Sequence, residues 1–244
     1  MIEKRKVRIM MVNTNNLIII IMILAIILLI ISRVYDINIR KLKHIAEYEE
    51  EKFNEIVEKY PSNIEICKNI LKKVKNEKVK VEEDKESKTS LYIAISDKII
   101  IADVKNSYTR IQTIAHECLH SIQDRRIQIF NFIFSNIYII YFIITAILAI
   151  FNKIQNSMLY LSIMLILSYT YYFIRSYLED DAMIKAKYLA KEYLEETKIS
   201  SPEEINSIIQ SYEKINNIGI KTVNFQIMLQ TLIKTIILAI AFLI

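Results

Sequence analysis

Apolar residues fall into four windows along the chain, 17–31, 129–151, 157–174 and 225–244, separated by polar stretches. Together the windows hold 76 of the 244 residues and one charged side chain, Lys234, while the other 168 residues carry the remaining 58 charges. A bilayer core takes roughly 20 consecutive apolar residues in helical form. Three windows come close to that length. This segregation predicts a mainly α-helical, multi-pass membrane protein with about four spans. Lys4, Arg5, Lys6 and Arg8 precede the first window as they would in a secretion signal. The residues that follow it, Ser32, Arg33, Val34 and Tyr35, form no small-x-small cleavage site, so an uncleaved anchor is expected. At 15 residues it extends to Tyr35 or lies under a thinned bilayer.

The polar stretches carry their own periodicities. Apolar positions at Ile37, Leu42, Ile45, Ala46, Phe53, Ile56, Val57 and Tyr60 have helical spacing, and Pro61 ends that pattern. Ser62 or Asn63 can cap a helix over 64–75. Short β-type pieces at 79–81, 91–95 and 99–101 surround a charged loop, 82–90, with Ser96-Asp97 as a turn, and predict a small sheet. Residues 108–128 read as one helix with Ser107 as its cap. Residues 175–198 continue the third window as helix. Ser201-Pro202-Glu203-Glu204 starts another helix, which Gly219 is expected to close before the fourth window. The expected organisation is a basic segment and anchor (1–35), an extramembrane α+β region (36–128), a transmembrane hairpin (129–174), a helical region (175–222) and a last span (223–244).

Composition removes several alternatives. With one glycine and two prolines, the chain has neither a Rossmann fingerprint nor a Walker loop, and too few turn residues for a large all-β fold. The net charge of +5 is spread along the sequence without a long unopposed basic run, so no nucleic-acid partner is indicated. Cys67 and Cys118 lack metal-site spacing and are expected to be reduced.

The strongest chemical signal is His116-Glu117-Cys118-Leu119-His120, an H-E-x-x-H pattern. Four residues make just over one helical turn, so both imidazoles leave one face and can reach one zinc. Glu117 stands next to the first histidine and can accept a proton from a water that the metal activates. A catalytic zinc site usually takes a third protein ligand. The remaining histidine, His44, sits in a charged helix and reads as a surface residue. Cys118 lies two residues from either histidine and points away from their face, into the core. The second and third windows form a hairpin joined by 152–156. His120 and Glu179 therefore both sit roughly 7–11 Å beyond the apolar boundary, at similar height. Asp180 and Asp181 lie at nearly the same height, and spacing alone leaves all three carboxylates open as the third ligand.

On these residues the chain resembles the YugP-type neutral zinc metallopeptidases of bacterial membranes. The matching features are an N-terminal anchor, a short sheet, His116-Glu117-x-x-His120 followed by Ser121-Ile122-Gln123, two spans, and Glu179-x-x-Ala182. More distantly it is similar to the HtpX-type and CAAX prenyl-type membrane gluzincins. The layout covers nearly the whole chain, whereas the specific motifs cover only 110–123 and 179–186. The resemblance implies one zinc ion per chain, Glu179 as the third ligand and hydrolysis of peptide bonds. Two positions depart from it. Leu119 stands where the family has Gly, and Met183 stands where HtpX-like proteins carry an Asp four residues after the ligand Glu.

The expected function is thus that of a membrane-embedded zinc metallopeptidase. His116, His120 and Glu179 would be the ligands and Glu117 the general base. A peptide or membrane-protein segment at the bilayer surface would be the substrate. Gln112, Gln123, Asp124, Arg125 and Arg126 flank the motif, which places the metal outside the bilayer core rather than within a span. Five Lys and Arg residues adjoin the spans on the N-terminal side and eleven on the side of the motif. That balance favours a cytoplasmic site, although the basic start argues the other way. Two readings from other classes stand beside this one. One is a zinc-binding scaffold without catalysis. The other is a small transporter or channel subunit using Lys234. The stripe Gln226, Gln230 and Lys234, with Thr231 and Thr235 beside it, is expected to face the other spans and serve packing.

Overall fold

The computed structural model describes residues 2–34, 53–87, 89–103 and 107–243, and within the first of these the side chains of 14–31 and 33. His44 and any extension of the first span to Tyr35 lie outside the described residues. The chain is mainly helical. The helices are α1 (Ile2–Val34), α2 (Asn63–Lys73), α3 (Arg110–Ile122), α4 (Arg125–Ile150), α5 (Ser157–Thr197) and α6 (Pro202–Ala241). Three strands, β1 (Lys80–Asp84), β2 (Leu91–Ile93) and β3 (Lys98–Ala102), make a sheet of order β1-β3-β2. Four helices, α1, α4, α5 and α6, are long and apolar enough to cross a membrane.

The chain divides into two compact units. The first comprises Met1–Ile37, Phe130–Ser176 and Thr222–Ile244. Its interior is thin. Tyr138 is buried among Met164 and Leu238 and stacks on Tyr171 with ring centroids 5.3 Å apart. Leu17, Leu161 and Ala239 make a second small cluster. A hydroxyl relay crosses the interior from the Tyr138 Oη to the Ser168 Oγ (3.2 Å) and on to the Thr235 Oγ1 (3.3 Å). Large apolar side chains point outward from every helix, among them Ile26, Ile143, Ile166 and Ile237. Such an exterior is what a hydrocarbon solvent covers. Thr231 and Thr235 face inward as the sequence suggests, but Gln226 and Gln230 are exposed. The polar stripe is therefore split: its hydroxyls pack within the unit and its amides do not.

The second unit comprises Asn38–Ile129 and Tyr177–Lys221. Its core joins α2, α3, the sheet and the later turns of α5 with the early turns of α6. Ile66, Cys67, Ile70, Ile99, Ile101, Ile111, Ile114, Cys118, Ala182, Ala190 and Ile208 are all fully buried there. β3 is the central strand, parallel to β1 and antiparallel to β2, with Ile99 and Ile101 inward by the period of two. Helix starts follow capping chemistry. The Ser62 Oγ accepts the Glu65 N–H, and Ser201 and Glu204 form a reciprocal capping box, 3.2 and 2.8 Å.

Several boundaries differ from the sequence reading: the motif helix starts at Arg110 behind Thr109 rather than with Ser107 as its cap, and β2 stops at Ile93. Residues 108–128 are not one helix: α3 ends at Ile122, Gln123 is extended, and the Asp124 side chain accepts the Arg126 N–H to begin α4. β1 runs to Asp84, into the expected charged loop, because its partner β3 lends it a hydrogen-bonding edge at Glu82, Glu83 and Asp84 that charge does not oppose. Gly219 does not end a helix. α6 passes straight through it, and a Cβ there would meet only the Met183 Cε, 2.9 Å away at the flexible end of a side chain from α5.

Arg110 ties the start of α3 to the preceding segment. It is 1% exposed, and its guanidinium donates to the carbonyls of Val57 (2.7 Å), Tyr60 (2.9 Å) and Pro61 (3.0 Å) and to the Asn63 Oδ1 (3.1 Å). The Val57 carbonyl lies in the last turn of the helical residues 53–58, where acceptors outnumber main-chain donors, and the Tyr60 and Pro61 carbonyls follow its end. Replacing Arg110 by Met strips this donor from the Tyr60 and Pro61 carbonyls and the Asn63 Oδ1, while the Val57 carbonyl keeps the Tyr60 N–H (3.1 Å). The expected loss is about 3 kcal/mol or more, seen as a lowered unfolding midpoint in detergent. An unchanged midpoint would contradict this role.

Candidate metal centre

α3 has one face in the core and one toward α5. Ile111, Ile114, Ala115 and Cys118 fill the core face, each 0% exposed. His116 and His120 emerge together from the other. Their Nε2 atoms are 3.0 Å apart and their rings nearly perpendicular, at 86°. The Glu179 Oε2, from α5, lies 3.5 Å from the His116 Nε2 and 3.7 Å from the His120 Nε2. Ligand bonds of the usual length place donors roughly 3.3–3.6 Å apart around one tetrahedral ion. The three separations come close to that triangle. The side chains are 19%, 12% and 9% exposed, so the group is sheltered and yet reachable by solvent through His116. His116, His120 and Glu179 form a group that could hold a metal ion.

The neighbouring candidates separate cleanly. Asp181 turns outward to the Lys185 Nζ (2.5 Å). Burial raises its carboxyl pKa, but Lys185 and Gln123 outweigh this and hold it below the ordinary range. Neither Asp180 nor Asp181 joins the ligand group. The Cys118 thiol points into the core, 3.6 Å from the free thiol of Cys67, and burial pushes it well above the usual thiol range.

Glu117 is 6% exposed. Burial pushes its carboxyl up; His116 and His120 pull it back, Glu179 adds to the rise, and the Tyr92 main-chain N–H donates to it. The net direction is upward. A carboxyl poised above its ordinary value is suited to taking a proton near neutral pH. Tyr92 belongs to β2, an edge of the sheet, so the strand edge and Glu117 adjoin.

Gln123 continues the motif in sequence, but no role for its side chain followed from the motif. Its amide nitrogen donates to the Leu178 carbonyl (2.7 Å) and the Asp181 Oδ2 (3.1 Å), two groups that can only accept. The amide oxygen must then face the His120 Nδ1, 2.8 Å away, and that nitrogen must carry the hydrogen. The Nε2 lone pair is thereby left toward Glu179. Burial alone would lower the His120 pKa, but Glu179, Glu117 and Gln123 together raise it. Met183 takes no part in this support. Its carbonyl accepts the Asn216 amide and its side chain packs at Gly219. Support for a histidine thus comes from the Gln123–Asp181 pair. The signal in sequence was a glutamine three residues after His120, one turn on, where a helix end would free it to swing back.

No family model, no curated protein and no solved structure matches the chain.

If Gln123 orients His120, Gln123→Leu lowers metal affinity about 10- to 100-fold, the usual effect of losing a ligand's supporting partner. Competition with a chromogenic chelator measures it. Affinity equal to wild type would contradict the role.

Proposed function

We propose that the protein is a membrane-embedded zinc metallopeptidase that hydrolyses peptide bonds near the bilayer surface. The observation that carries this reading is the convergence of His116, His120 and Glu179 with a buried carboxyl, Glu117, one residue from the first histidine. Two imidazoles and a carboxylate suit zinc and leave a coordination position open for water. Bound there, zinc would make water a usable nucleophile at neutral pH and polarise the carbonyl to be attacked.

The rest falls to the chain. Glu117 takes the proton from the attacking water at its carboxylate and returns it to the departing amine nitrogen. Gln123 and Asp181 keep the His120 Nδ1 protonated and its Nε2 free. The edge position of β2 supports a peptide substrate. An extended chain can add to such an edge through main-chain hydrogen bonds, and at Tyr92 that edge adjoins Glu117. Four membrane-length helices support a site close to lipid, and the balance of Lys and Arg favours the cytoplasmic side. The resemblance to YugP-type peptidases points the same way.

Glu117→Gln tests the assignment. It keeps the size of the side chain and removes the base. Metal content is expected to stay at the wild-type value while cleavage of quenched fluorescent peptides in proteoliposomes falls at least about 100-fold. Undiminished cleavage by the variant would overturn the role of Glu117.

A further inference from the structure

Lys234 carries the only charge in the four apolar windows, which contain no Asp or Glu. It stands near the middle of the last window, about 14–15 Å of helix from either end. A lysine side chain cannot span that distance to reach lipid phosphates. Its ammonium lies over the Tyr138 ring, 5.3 Å from the centroid, and Tyr138 is a buried residue of α4. The ring's Oη is already engaged with Ser168. The cation is thus held in place by an aromatic face without a counter-charge among the described residues.

The surface beside it is continuous. Gln226, Gln230 and Lys234 follow at i, i+4 and i+8 on α6, with Ile233 between the last two and Ile237 one turn beyond Lys234 on the same side. Both glutamines are exposed, as are Ile233 at 43% and Ile237 at 47%. Neither glutamine side chain bonds another described residue. Two exposed amides and a half-buried ammonium without a counter-charge are costly in hydrocarbon, and intramembrane polar groups are usually satisfied by a neighbouring helix.

We propose that this stripe of α6 is a docking surface for a membrane-spanning helix of another protein that carries an Asp or Glu at its midpoint. The inference rests on the membrane reading above and not on the peptidase chemistry. Charge complementarity selects the occupant. A second copy of this chain would bring Lys234 and no carboxylate, and its own cation would oppose the pairing. A helix with a central carboxylate would neutralise Lys234 and accept hydrogen bonds from Gln230.

The probe is a synthetic leucine-rich spanning peptide with one central Glu, compared with the same peptide bearing Leu. Association with the full-length protein is read by energy transfer in phosphatidylcholine vesicles. The Glu peptide is expected to bind about fivefold to thirtyfold more tightly, the range of intramembrane polar pairs in model peptides. Lys234→Met should erase the difference, and Lys234→Glu should transfer the preference to a peptide bearing central Lys. Equal binding of the Glu and Leu peptides, or a preference that survives Lys234→Met, would overturn the proposal. So would efficient homodimer cross-linking through Gln230→Cys without peptide, which would assign the face to a second copy. A protein that fails to float with the vesicles would overturn the membrane reading and this inference together; one that floats and does not discriminate overturns only the inference.

Discussion

The amide of Gln123 bridges two helices that sequence places 55 residues apart. It bonds the Leu178 carbonyl and the Asp181 carboxylate on α5, and through its oxygen it holds the His120 ring on α3. Those bonds set the rotation and height of α5 against α3, and so decide that Glu179 rather than a neighbour meets the two histidines. They require α3 to stop. If the helix had run on through residue 123, that side chain would have been fixed on its own helical face. The extended backbone at Gln123, followed by the Asp124 cap, frees it to reach back. The helix end is thus part of the site.

What keeps α3 still is burial on its opposite face. Ile111, Ile114, Ala115 and Cys118 are wholly enclosed, and each large apolar side chain so placed contributes about 1.5–3 kcal/mol. Arg110 anchors the first turn through charge-assisted bonds to four acceptors. The histidines and Glu117 therefore project from a helix fixed at its start, along its back and at its end. Such stiffness suits a metal group, because loose ligands lose both affinity and geometry.

Much of this was legible in the sequence. Charge segregation alone marks the four long helices, since no soluble packing needs 76 residues with one charge. The i, i+4 histidines follow directly from helical pitch. Choosing among Glu179, Asp180 and Asp181 was beyond spacing, because neighbouring residues differ by about 100° in direction and by little in height. That choice depends on the rotation of α5, which a distant glutamine sets. The break at Gln123–Asp124 was hidden because residues 108–128 keep a helical pattern across it. Gly219 misled because a glycine that ends a helix and one inside a helix look alike in sequence. The outward turn of Gln226 and Gln230 ran against the rule that polar residues in spans face their own bundle.

The central claim is that the chain holds one metal ion through His116, His120 and Glu179. Elemental analysis of detergent-purified protein, wild type beside Glu179→Ala, tests it without knowledge of a substrate. The account predicts about one zinc per wild-type chain and a marked loss in a variant that is still folded. Folded wild-type protein without metal, or a full complement in the variant, would contradict it.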